Sequence, residues 1–82
     1  MYMDEIEKII EKTKKILKEK YGEHKIVITG IHIEKIVGRN EYAVTVNFNA
    51  IKDTKEGKIV IEQKMVITNT IIKFTKENKY IV

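Results

Sequence analysis

The 82-residue chain has no cysteine, serine, proline or tryptophan. Without cysteine no disulfide can form, so a disulfide-stapled secreted mini-domain is excluded and packing must carry the stability. The redox compartment is left unreadable by the same absence. Lack of Ser and Cys removes the commonest nucleophiles, and no local motif sets a base beside a threonine. The four glycines, Gly22, Gly30, Gly38 and Gly57, are scattered, so no phosphate-binding loop is present. No apolar run is long enough to span a bilayer, and the first residues are acidic and amphipathic rather than signal-like. The expectation is a soluble, cytoplasmic protein with no membrane partner. The missing proline and tryptophan are compositional clues only.

What is present is as skewed as what is absent. Sixteen isoleucines stand against one leucine, and fifteen lysines against one arginine. The net charge is +4 with 34% charged residues, and the two signs alternate along the chain. Mixed charge at this density reads as a solvated surface, which permits a polyanionic partner without favouring one. A chain of this length forms one small domain, residues 1–82, and buries only roughly 60–65% of its unfolded surface.

Residues 4–21 read as an amphipathic helix. Ile6, Ile9, Ile10, Thr13, Ile16, Leu17 and Tyr21 recur at helical spacing among Glu and Lys. Asp4 and Glu7 have the spacing of a capping box, with acids at the positive end of the helix dipole. Lys14, Lys15, Lys18 and Lys20 crowd the opposite end, and Gly22 predicts a left-handed stop.

The period then changes to two. Strands are predicted at about 24–36, 41–51 and 58–74, with a short fourth at 79–82. In the second, Tyr42, Val44, Val46, Phe48 and Ala50 share one face. The links Gly38-Arg39-Asn40, Asp53 to Gly57 and Glu77-Asn78 are short and turn-like. Short links imply antiparallel neighbours. The predicted fold class is therefore α+β: one N-terminal helix packed on a curved antiparallel meander of three to four strands, order 1-2-3-4.

Two irregularities carry further expectations. Ile26 and Ile28 are out of phase with Ile31 and Ile33. A β-bulge near Thr29 and Gly30 would return both pairs to one face and bend the sheet. An unbulged strand with Val27, Thr29, Ile31 and Ile33 inward is the alternative. The second irregularity is the 58–74 strand, far longer than the helix. Its end is apolar on both faces, through Val66 and Ile72 on one and Ile67 and Ile71 on the other. An uncovered strand of that kind needs a partner. Val66, Ile67, Ile71, Ile72 and Phe74 are accordingly the candidate interface, and a homodimer is the simplest arrangement.

Polar candidates are sparse. His32 and Glu34 share a strand face, with His24 nearby, but a zinc site wants three or four ligands, so a solvated face is favoured and no metal is assigned. Gln63 and Asn69 interrupt an inward alternation; they could line a small pocket, but exposed positions at a strand bend are the favoured reading. Thr45, Asn47, Asn49, Thr68 and Thr70 could form a flat hydroxyl and amide face for ice or glycan, or be ordinary outward strand positions. Phe74 and Tyr80 beside Lys73, Lys76 and Lys79 make a weak nucleic-acid patch. No catalytic residue and no cofactor is assigned, and a small-molecule ligand is left open.

A helix followed by a curved meander resembles the cystatin-like arrangement and the helix-plus-sheet half of the nuclear transport factor two-like cone. The tail Thr70-Ile71-Ile72-Lys73-Phe74, then Asn78-Lys79-Tyr80-Ile81, is similar to the closing strands of that cone. The stretch Gln63-Lys64-Met65-Val66-Ile67 departs from the Gln-x-Val-x-Gly hairpin of cystatin inhibitors, so protease inhibition does not carry over. The stretch from Asp4 through Gly22 and the turn Asp53 to Gly57 also look like computationally designed sequence, with caps, turns and pattern in agreement. An AT-rich or thermophilic genome is the rival source of the Ile and Lys bias. The expected role is a non-enzymatic scaffold or interaction domain that self-associates through its sheet, designed and thermostable. A natural protein-binding module from a virus or thermophile is the alternative, with weak nucleic-acid binding behind it.

Overall fold

The computed structural model describes residues 2–82, with side chains from Glu7 onward. Helix α1 spans Tyr2–Lys20. Four strands follow: β1 Lys25–Lys35, β2 Tyr42–Thr54, β3 Gly57–Ile67 and β4 Ile72–Ile81. They form one open antiparallel sheet in the order β1-β2-β3-β4, so the class is α+β. The Asp4 cap and the Ile6 position of the helical stripe lie outside the described side chains.

The helix stripe works as its spacing implies. Leu17 and Tyr21 are buried, and Ile9, Ile10 and Ile16 half-buried. Thr13 is the polar member of the stripe and only 3% exposed. Its hydroxyl donates to the Ile9 carbonyl at 2.7 Å, so burial leaves nothing unpaired. The helix ends without a left-handed residue: Gly22 has no positive φ. It sits instead where an added Cβ would stand 3.0 Å from the Lys18 carbonyl. The exit turn is held by Tyr21 N–H to Leu17 O and His24 N–H to Tyr21 O, each 2.8 Å.

The 58–74 strand is two strands. Ile67 pairs with Ile72, and residues 68–71 form the turn between them. The Thr68 hydroxyl accepts from Ile71 N–H at 3.0 Å and from Thr70 N–H at 3.3 Å, while Thr68 N–H donates to Ile71 O at 2.8 Å. A threonine can close a turn in this way without Gly or Pro. The expected turn at Glu77-Asn78 is mid-strand instead, paired with Gln63 and Glu62, and the short fourth strand is the end of a full-length β4.

The register between β1 and β2 shifts between Ile28 and Gly30, leaving Thr29 as the extra residue. Ile26, Ile28, Ile31 and Ile33 then all face the helix, opposite Ala50, Phe48, Val46 and Val44. A second shift, at Thr75, interrupts β4 opposite Lys64 and Met65. Both bulge threonines donate across the sheet, Thr29 Oγ1 to Asn47 O at 3.1 Å and Thr75 Oγ1 to Lys64 O at 3.4 Å. Asn47 and Lys64 are themselves a cross-strand pair. The two bulges thus fall on one transverse line, and bulges bend a strand and raise its twist. The core lies between α1 and the two middle strands: Leu17 and Tyr21 over Val44, Val46, Phe48, Ala50, Ile61, Met65 and Ile67.

Candidate interaction surface

The helix covers the sheet unevenly. In the row Ile33–Val44–Ile67–Ile72, the two middle residues are 1% and 0% exposed and the two outer ones 39% and 40%. On β4 the helix-side row becomes polar past the bulge, where Glu77 and Lys79 follow Phe74. On β1 it stays isoleucine throughout, with Ile28 42% and Ile31 47% exposed. β1 is also an edge strand, so its outward backbone groups have no strand to pair with.

The five residues singled out as an interface do not form one surface. Ile67 is fully buried under the helix. Val66 is half-buried on the opposite face, between Thr45 and Lys73. Ile71 is 58% exposed in the turn and Ile72 40% exposed at the start of β4. Phe74 is half-buried, with the Lys20 ammonium 3.9 Å above its ring, a cation–π contact that ties the end of α1 to β4. Only Ile71 and Ile72 remain as open apolar surface from that group.

Gln63 lies in the core, 7% exposed. Its Nε2 donates to the Tyr21 hydroxyl at 3.3 Å, and its Oε1 is buried without a partner. The Tyr21 ring meets Phe48 edge-on at 5.7 Å and His24 at 5.6 Å. Asn69 is exposed in the turn, as favoured, whereas Gln63 departs from that expectation, and the two line no common pocket. Between α1 and β1 runs a groove of about 290 Å³ walled by Leu17, Tyr21, Ile26 and Ile28, with Lys14, Lys18 and His24 at its rim. Sequence periodicity could place these isoleucines on the helix side but carried no sign that the helix would leave them open.

The outer face is polar along the bend. Thr29, Asn47, Asn49, Glu62, Lys64, Lys76 and Asn78 line a shallow depression of about 290 Å³ along the bend. Thr45 belongs to the same face, but Thr68 and Thr70 sit in the turn, so no continuous threonine–amide plane forms. His32 Nε2 lies 3.5 Å from Glu34 Oε1, both side chains about 70% exposed, a solvent-screened pair. Among the described residues no three His, Cys, Asp or Glu side chains gather as a metal would require. Phe74 and Tyr80 fall on opposite faces because of the Thr75 bulge, so they make no common stacking platform. Tyr80 is 40% exposed, and its hydroxyl is held above the usual tyrosine range by partial burial and by the hydrogen bond and charge of Glu62. Among the described residues no helix is long and apolar enough to cross a membrane.

Compared with protein-family models, curated proteins and solved structures, the chain matches none of them.

Proposed function

We propose that this chain is a non-enzymatic interaction scaffold that self-associates through the helix-side face and free edge of β1. The observation that carries the reading is the row Ile28, Ile31 and Ile33, 42%, 47% and 39% exposed on an edge strand. Edge strands with an apolar flank join their like, because pairing satisfies the backbone and buries the side chains together. Two β1 edges meeting antiparallel about a two-fold axis would make one continuous sheet. This reading favours β1 over the turn around residues 66–74 and makes Ile71 and Ile72 secondary.

Features that agree across levels support an engineered origin and high thermal stability: a short β2–β3 link that ends on the positive-φ Gly57, paired bulges and an uninterrupted alternation along β2. A long helix across a bent meander is compatible with the cystatin-like arrangement. A melting temperature above about 65 °C is expected.

Light scattering at tens of micromolar should give the mass of two chains. Ile31→Glu should return the mass of one chain with an unchanged circular dichroism spectrum, while Ile81→Glu, on the far edge, should leave the mass doubled. A wild-type mass of one chain at that concentration removes self-association. Capture of a different protein by the same β1 row, lost in the Ile31→Glu variant, would favour a hetero-partner instead.

A further inference from the structure

We propose that the groove between α1 and β1 binds a single-chain anionic amphiphile, a medium-chain fatty acid, with its carboxylate at Lys18 and its tail along Leu17, Ile28 and Ile31. The groove is apolar along its length. Beyond the 290 Å³ hollow at Tyr21 and Ile26 the helix and sheet close to a gap of only about 10 Å³ among Ile10, Ile31 and Val46, so the tail would leave the hollow over the exposed flanks of Ile28 and Ile31, 42% and 47% exposed. Lys18 to Ile10 is eight residues of helix, about 12 Å, enough to run beside an extended acyl chain.

Charge sets the polarity of the occupant. Lys14 and Lys18 stand one helical turn apart on the rim, and neither hollow is lined by an Asp or Glu. Lys14 is shared with Glu11 at 3.6 Å. Among the described residues Lys18 is in no ion pair. The C-terminal carbonyls of α1 oppose an anion at this end. The lysines therefore have to hold the carboxylate, and reversing their charge must reverse the preference. His24 adds a polar group to the same wall: its Nδ1 is buried with no partner. Apolar walls with a few placed polar groups are the ordinary composition of a small-molecule site.

The inference does not rest on self-association, although a tail on Ile28 and Ile31 would compete with it. The test is an NMR titration of the full chain with laurate below its micelle concentration, against dodecyltrimethylammonium, which has the same tail and the opposite charge. Laurate should shift His24, Ile28 and Ile31 resonances, saturating at one equivalent per chain. The cation should bind at least about ten-fold more weakly. Lys14→Glu with Lys18→Glu, both on the solvent rim, should invert that order. Equal affinity for the two amphiphiles would mean adsorption to apolar surface and would overturn the proposal, as would laurate shifts centred on Ile71 or Ile81. The mass of the same samples, read by light scattering, reports self-association separately.

Discussion

Ile33 and Ile67 flank Val44 in one row of the sheet and face the same helix, yet Ile67 is fully buried and Ile33 is 39% exposed. The residue type, the face and the neighbour are the same. What differs is distance from the helix axis. Strands lie about 4.8 Å apart, so four of them set the outer pair about 14 Å from each other, whereas a helix with its side chains is about 10–12 Å wide. One helix covers two strands and leaves two rims. On β4 the rim keeps exposed isoleucine only at its two ends, Ile72 at 40% and Ile81 at 64%, with Glu77, Lys79 and a lysine stacked over Phe74 between them. On β1 the row is isoleucine without a polar break, and the proposed contact surface rests on that inequality.

The largest expected effect tests this inequality directly. Ile67→Ala removes a side chain with no exposed surface and should cost about 2–5 kcal/mol in urea unfolding. Ile33→Ala should cost about 1 kcal/mol in the dilute monomer, because much of its side chain is already in water. If a second copy covers β1, the Ile33→Ala loss will grow with protein concentration while the Ile67→Ala difference stays fixed. Equal losses at high dilution would mean that the rim is covered within one chain.

Next in size is a contrast of glycines, one at the β2–β3 hairpin and one at the bend. Gly57 has φ 136°, and a Cβ there would stand 2.6 Å from the Val82 carbonyl. Gly57→Ala should cost about 1–3 kcal/mol and loosen the Lys58–Val82 pairing that ties down the C-terminus. Gly30 has no positive φ, and its added Cβ would meet only the Asn47 side chain at 3.6 Å. Gly30→Ala should stay within about 0.5 kcal/mol of wild type in the same denaturation experiment. A large loss at Gly30 would show that the bend depends on glycine rather than on the inserted Thr29.

Smaller still are the threonine hydroxyls that cross the bend. Thr29→Val and Thr75→Val should each cost about 0.5–1 kcal/mol, since both bonds are solvent-exposed. Their acceptors belong to one cross-strand pair, so the two losses should not add. The double variant measures that coupling, and strict additivity would mean that the two rims bend independently.

These contrasts also separate what the sequence displayed from what it hid. The isoleucine phase break at Gly30 announced a bulge, because a period of two admits no other way to keep four isoleucines on one face. The alternation from Tyr42 to Ala50 announced the central strand. The Thr68 turn was hidden: its Thr-Asn-Thr segment has no Gly or Pro and lies between two apolar runs, so it read as continuous strand. Losing that turn moved the expected interface onto Ile67, a core residue. The β1 groove was hidden for a different reason. Periodicity reports which face a side chain takes, but cover depends on helix width and placement across the sheet, which no local pattern records.

The smallest expected effect lies at the other rim, on β4. Tyr80 stands opposite Val60 on the outer face, and its hydroxyl titrates above the usual tyrosine range because of partial burial and Glu62. A value raised in the folded chain contributes stability that is fully present below the unfolded tyrosine pKa of about 10 and lost as pH rises through the folded one. Stability should therefore decline in alkali, where the fifteen lysines titrate as well. The difference between wild type and Glu62→Gln isolates the tyrosine: the variant should bring its ionisation back toward the ordinary range, read as phenolate absorbance against a Tyr80→Phe reference. Superimposable phenolate curves for wild type and Glu62→Gln would show that Glu62 does not reach the phenol, and that this rim is as open to water as the isoleucine rim of β1.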